Sequence, residues 1–513
     1  MKPGNGKLRK AVFLSLVSLA SFAAGAATAS VPGNAESSTL LARKPYPERS
    51  IYFATHFFNW YEEASDAEVE QYVEELAEWG LTGVAAWFDM HDFTGIDDPA
   101  AQRRIARLKF IFRTAKRLGL DRHLHFLANE GFKDSPVDLR ADWRGGQNGY
   151  RLEPRGHYHV ELCPSKPGAT ELLLKWRRQV FEAFSDVQLT SVSACPYDQG
   201  GCTCSNCAPW GANGFLRLCP RLSALAREMF PGVKFYLSAW RFDVFGDLHE
   251  WDGLFEKGDE IRRWADGIRL AAGDLPRTKD RSPGDLPVFA MSEISMSLML
   301  PWGGYGANPR PIDLQSEFAL NPRMIGLRPY SEGIYEDLNK VIILSMLRDP
   351  SKSALDAVGD YAARYFGEGT RELVKEAVLL MEENMDHEAS AVQDGTGRSP
   401  YSLRGTIPGK PWSISHKTPC LDAARAERVK GLLLQSESKM DVMRRTSWRW
   451  RILMLRAELD CALARKADAT ETDPLFDELA RIYHVVPKTR TCLVPPSKPL
   501  WLSVVGNWYD FGL

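Results

Sequence analysis

Five short apolar runs in this chain each end on an acidic side chain, and long helical patterns separate several of them. Ala85–Phe88 precedes Asp89, Phe126–Ala128 precedes Asn129 and Glu130, and Val192–Tyr197 precedes Asp198. Val288–Met291 leads to Glu293, and Ile325–Tyr330 leads to Glu332. Strand-like runs that alternate with helices predict a parallel sheet. In an α/β barrel the carboxyl ends of such strands share one rim, and that rim carries the active site. For any one of these acids the competing role is local, because helix starts favour carboxylates.

Eight segments read as strands: Ile51–His56, Gly83–Asp89, His123–Ala128, Leu189–Ala194, Lys234–Ala239, Gly267–Ala272, Pro287–Met291 and Met324–Pro329. Between the first two, Ser65-Asp66-Ala67-Glu68 offers a capping box. Val69, Tyr72, Val73, Leu76 and Trp79 follow at helical spacing until Gly80 stops the helix. A second helix, marked by Ile105, Leu108, Ile111, Phe112, Ala115 and Leu118, closes on Gly119. A long loop from Asn129 to about Cys163 precedes a helix over about Pro167–Phe184. The count predicts a (β/α)8 TIM barrel over residues 50–350. Beyond Pro350 the strand pattern stops. Ala354–Phe366, Leu373–Met385, Ala423–Ala464 and Phe476–Tyr483 read as amphipathic helices of a C-terminal α-helical domain, residues 351–513.

The first ten residues carry four positive charges, an apolar stretch follows, and Ala27-Thr28-Ala29 ends it. This is the pattern of a secretory signal peptide over residues 1–29, so the expected destination is secreted or periplasmic. No later stretch has eighteen uninterrupted apolar residues, so no stable membrane span is expected after signal removal. Lys and Arg number 64 against 66 Asp and Glu, which leaves no basic surplus for nucleic-acid binding.

Carboxylates gathered on one rim beside aromatic side chains suit chemistry on a carbohydrate. Cleaving a glycosidic bond needs an acid to protonate the leaving oxygen and a second carboxylate as nucleophile or base. Asp198 and Glu293 fit these roles, since they end the fourth and seventh expected strands, read here as facing each other across the mouth. Glu332, beside Gly333 where the eighth strand turns into a helix, is a third candidate, open between substrate contact and structure. Glu336 and Asp337 come one turn later and read as partners of the helix dipole. Asn129 and Glu130 are candidates for sugar hydroxyls; Trp87, Asp89, His91, Tyr197, Trp240, Arg241, Trp302 and Tyr330 are candidates to line the same rim. This chemistry requires no cofactor. His123 and His125 alternate on one strand and read as core or rim residues rather than metal ligands.

The segment Ser193–Cys207, SACPYDQGGCTCSNC, resembles the loop after strand four in secreted barrel proteins related to the β-hexosaminidase and α-glucuronidase glycoside hydrolases. Arg328–Lys340, followed by the helical stretch Ala354–Gly367, carries the same resemblance, which spans Ser50 to Gly367. It implies a glycosidase-like barrel, a carbohydrate substrate and Asp198 as proton donor. Many hexosaminidases have an Asp-Glu or Asp-Asp pair at that place. Here Tyr197-Asp198-Gln199 stands instead, so the resemblance does not extend to substrate-assisted cleavage of an N-acetyl sugar. The alternative from another class is a catalytically silent barrel that binds carbohydrate.

Cys202, Cys204 and Cys207 place three thiols within six residues, with Cys195 just upstream and Cys163 and Cys219 further off. Four thiolates at such spacing can hold a structural zinc tetrahedrally, whereas export favours disulfides, and both readings stand. The chain has nine cysteines, so at least one is unpaired, metal-bound or intermolecular.

Overall fold

The computed structural model describes residues 44–55, 60–142, 160–197, 201–243, 248–292, 294, 307–385, 403–404, 413–414 and 422–483. The expected signal segment lies outside them. Seven strands run as β1 (Glu48–Phe53), β2 (Gly83–Trp87), β3 (Asp121–Leu127), β4 (Ser191–Cys195), β5 (Lys234–Ser238), β6 (Gly267–Ala271) and β7 (Val288–Met291). The eighth comes in two short pieces, β8 (Gly326–Leu327) and β9 (Tyr330–Ser331), both paired with β1. Every pairing in this sheet is parallel, and β1 also pairs with β2, so the ring closes as the (β/α)8 barrel that the apolar runs predict. The break in the eighth strand falls at Pro329, which has no N–H to donate. Its carbonyl still accepts from the Tyr52 amide at 2.9 Å.

Local chemistry sets the helices around the ring. The Ser65 hydroxyl accepts from the Glu68 amide at 3.3 Å and the Glu68 carboxylate accepts from the Ser65 amide at 3.0 Å, a closed capping box at the start of Asp66–Glu78. That helix ends on Gly80 at φ +107°, a conformation that only glycine adopts without strain. Its buried face is Val69, Tyr72, Val73 and Leu76. Outward-facing strand residues such as Ile51, Phe53, Val84, Leu124, Phe126 and Leu237 join these helices in one core, and burying each large side chain contributes roughly 1.5–3 kcal/mol.

The inward-facing residues are different in kind. His123 bonds the Ser50 hydroxyl through Nε2 at 3.0 Å and the Ser191 hydroxyl through Nδ1 at 2.6 Å. Arg328 lies 4.6 Å over the Phe289 ring and donates to Glu48 at 3.1 Å; Arg269 reaches Ser238 Oγ at 3.2 Å and Cys195 Sγ at 2.9 Å. Above this polar centre Tyr52, Ala85, Trp87, Leu127, Cys195, Met291 and Tyr330 form a separate apolar layer, with Trp240 packed on it. Trp87, Leu127, Cys195 and Met291 are the last residues of their strands, so this layer closes the barrel just beneath its carboxyl-end rim.

After Ser331 the described chain is helical apart from the short pair Leu403–Arg404 and Ser413–Ile414. Helices Ala354–Phe366, Arg371–Glu383, Ala423–Glu437 and Trp448–Ala464 match the expected amphipathic stretches, and the last helix, Ala469–Ile482, starts about two turns earlier than its apolar pattern suggests because Asp468 caps it. Between the third and fourth of these, Asp441 and Ser447 each cap a new start, so the stretch restarts twice. Asp337, the first residue of helix Asp337–Arg348, ties this unit to the barrel. Its carboxylate accepts from Tyr72 and Tyr361 at 2.7 Å each and from Arg449 at 2.8 Å, and Arg449 also pairs with Glu75 at 2.5 Å. Among the described residues no helix is long and apolar enough to cross a membrane.

Candidate active site at the barrel mouth

Three carboxylates stand just past the carboxyl ends of their strands: Asp89 after β2, Glu130 after β3 and Glu332 after β9, exposed 5%, 1% and 3%. Tyr330, next to Glu332, and Trp87, two residues before Asp89, belong to the apolar layer. Tyr330 donates to Glu332 Oε1 at 3.1 Å and meets Tyr52 edge-on at 5.1 Å. Trp240 follows β5, and Arg241 next to it takes φ +61°, a left-handed turn that few side chains adopt. Asp198, Glu293 and Trp302 lie outside the described residues. The elements that lead to the two acids are described. β4 runs to Cys195 with Tyr197 beyond it, and β7 runs to Met291 with Ser292 beyond it.

The ring order corrects one expectation of geometry. In the closed sequence β2-β3-β4-β5-β6-β7-β8-β1, strands β4 and β7 are three places apart. The strand diametrically opposite β4 is the eighth, which carries Glu332.

His91 and Glu130 form a closely knit polar pair. Nδ1 of His91 lies 2.6 Å from Glu130 Oε1, and Arg177 approaches Glu130 Oε2 at 3.6 Å from behind while stacking 4.0 Å over Phe126. Burial alone would lower the His91 imidazole, but the carboxylates of Asp92, Glu130 and Asp89 outweigh it and raise it to about 10. His91 therefore carries a proton at neutral pH, and Glu130 is braced from two sides. Arg177 was not among the candidates. Its signal is a charged residue on the buried stripe of helix Ala169–Ala183, between Leu173 and Val180.

Two expected substrate contacts are committed elsewhere. The Asn129 amide donates to the carbonyls of Leu162 and Gly201, both at 3.0 Å, so it joins the loops after β3 and β4 rather than presenting itself to a sugar. Tyr197 donates to Glu250 Oε1 at 2.5 Å, and the same carboxylate accepts from the Gly211 and Asp243 amides at 2.6 and 3.0 Å. Glu250, raised by its burial, is the hub of the loops after β4 and β5. No apolar run leads to it, so periodicity does not single it out.

Glu332 is fixed from the helical side. Glu336 accepts from the Ser331 hydroxyl at 2.6 Å and the Gly333 amide at 2.9 Å, and Lys340 donates to Ser331 Oγ at 2.9 Å, to Tyr61 at 2.8 Å and to the Gly333 carbonyl. Burial lowers Lys340 to about 8 against the pull of Glu336 and Asp337. Tyr483 donates to the Glu332 carbonyl and stacks on Tyr335 at 4.9 Å. Glu336 and Asp337 are thus buried anchors of the turn, a larger role than that of dipole partners.

The sulfur cluster differs by one member from the expected set. Cys163, Cys202, Cys204 and Cys207 have their sulfurs within 4.8 Å of one another. Cys195 is excluded because β4 turns its side chain into the barrel, against Arg269. Bonds from the Cys202 and Cys207 thiols hold Cys163 well below the usual thiol range, and the shared bond with Cys163 pushes Cys202 and Cys207 up.

No protein-family model matches the chain, and no curated protein matches it. Among solved structures it is similar to a family GH115 4-O-methyl-α-glucuronidase with specificity for decorated arabinogalactans, at 9% identity, TM-score 0.53, over 90% of this chain and 62% of that one. It is also similar to a GH138 enzyme targeting pectin rhamnogalacturonan II, at 8% identity, TM-score 0.48, over 91% of this chain and 62% of that one. A third is the GH20 β-N-acetylhexosaminidase from Streptomyces coelicolor A3(2), at 11% identity, TM-score 0.38, over 65% of this chain and 70% of that one. The chain thus spans about three fifths of the length of the first two enzymes. At such identity the first of these likenesses establishes the fold alone, a (β/α)8 barrel, in agreement with the fold that the resemblance of Ser193–Cys207 and Arg328–Lys340 implies.

Proposed function

We propose that this chain is an exported glycoside hydrolase that cleaves a glycosidic bond in a polysaccharide or other glycan at the barrel mouth. The observation that carries the reading is that three buried carboxylates, Asp89, Glu130 and Glu332, each follow the carboxyl end of a barrel strand, where Trp87, Tyr330 and Tyr52 belong to an apolar layer. Asp198, three residues beyond β4, is the proton donor, and Glu293, two beyond β7, is the second carboxylate, with Glu332 its competitor. His91, protonated against Glu130, is a donor suited to a sugar hydroxyl. The Trp87 indole supports the same reading, since its buried N–H has no hydrogen-bond partner among the described residues and a hydroxyl of a bound sugar would satisfy it.

The test is hydrolysis by the purified chain of a panel of polysaccharides and aryl glycosides. Turnover of at least one, with Asp198→Asn much slower on the polysaccharides than on aryl glycosides with good leaving groups, is the expected result. Binding of a glycan with no turnover of any would instead identify a silent carbohydrate-binding barrel and overturn the proposal.

A further inference from the structure

We propose that Cys163, Cys202, Cys204 and Cys207 bind one zinc ion that staples the loop after β3 to the loop after β4. A zinc–thiolate bond of about 2.3 Å in a tetrahedron sets neighbouring sulfurs about 3.8 Å apart. Cys163 lies 3.6 Å from Cys204 and 3.8 Å from Cys207, and all four sulfurs fall within 4.8 Å of one another. A disulfide would draw two of them to about 2.05 Å and leave the other pair without a shared centre.

The surroundings suit thiolates. The Ser165 hydroxyl lies 3.0 Å from the Cys207 sulfur. Such a donor offsets part of the excess negative charge of four thiolates around a divalent ion. The Cys204-to-Cys207 turn, closed by the Cys207 and Ala208 amides on the Cys204 carbonyl at 2.9 Å each, keeps its two sulfurs on one side. Four protein ligands leave no open position, and three of the four cysteines are buried, so the ion is structural and takes no part in hydrolysis. As the metal enters, the thiols release their protons to solvent. The ion closes a chain segment 41 residues long between Cys163 and Cys204 and backs up the weaker links already there, Asn129 to Gly201 and Thr203 to Asp142.

Elemental analysis of the purified full chain, with thiol counting before and after denaturation in chelator, tests this without any activity measurement. The expected content is one zinc per chain, with four thiols masked until the metal is removed. Cys163→Ser should lose that zinc in dialysis that leaves Cys195→Ser loaded. If Cys163→Ser does not fold, cobalt substitution of the parent decides, since four thiolates and three give different visible spectra. Two disulfides without metal, iron in place of zinc, or zinc lost from Cys195→Ser and kept by Cys163→Ser would each overturn the proposal.

Discussion

What a carboxylate at this mouth can do depends on what already holds it. Glu130 has His91 on one oxygen and Arg177 behind the other, so both its oxygens are already engaged in holding neighbouring side chains in place. Glu332 instead accepts from Tyr330, a member of the apolar layer, and Asp198 and Glu293 follow strands whose last residues belong to that layer. From this we expect Asp198→Asn to slow cleavage of substrates with poor leaving groups by about 10²–10⁴-fold and to spare those with good ones, because only the former need a proton. Plotting kcat/KM against leaving-group pKa for parent and variant checks it, and an equal slope in both would remove Asp198 from the role. Glu293→Gln should slow every substrate whatever its leaving group. If Glu332→Gln is dead while Glu293→Gln turns over, the second carboxylate belongs to the eighth strand. The strand-end acids were legible in the sequence because each closes an apolar run. The partner that braces Glu130 was not: Arg177 comes from a helix, where its side chain interrupts an apolar stripe.

At the scale of elements, the polar centre of the barrel depends on one missing side chain. A Cβ on Gly83 would lie 2.4 Å from His123 Nε2 and 2.7 Å from Ser50 Oγ, so β2 can carry nothing larger where His123 crosses to Ser50 and Ser191. Gly83→Ala should therefore destabilise the fold by about 1–3 kcal/mol through overpacking, read as a lower urea midpoint. Gly273→Ala, where a Cβ meets nothing within 4 Å, is the control and should change stability little. The strands themselves were readable, down to the weak sixth, because an apolar outward face is present in every one. The inward face was not, since a histidine or arginine on alternate positions looks like a solvent-facing residue until the ring closes around it. The split at Pro329 and the restarts at Asp441 and Ser447 are matters of single caps and a missing donor, which periodicity averages away.

For the whole molecule, proton uptake on unfolding gives the barrel centre and the mouth opposite pH signatures. Burial first, and then Arg328 and Arg269 respectively, hold His123 and His125 well below 6.5; His125 has no hydrogen-bond partner among the described residues. Below pH 6.5 the unfolded chain protonates both while the folded chain does not, so their contribution falls with pH, by up to about 1.4 kcal/mol per unit for each. His91 is the reverse case. Raised to about 10 by Asp92, Glu130 and Asp89 against its burial, it contributes fully below 6.5 and loses that contribution as pH rises through about 10. Other groups titrate as well, Lys340 at about 8 among them, and comparing each variant with the parent at every pH cancels their share. Urea unfolding across the pH range should show His125→Phe gaining on the parent as pH drops below 6.5. His91→Gln should trail the parent by a constant margin in acid and close the gap on the alkaline side. Curves that run parallel at all pH would mean that neither histidine has the protonation state its neighbours impose here.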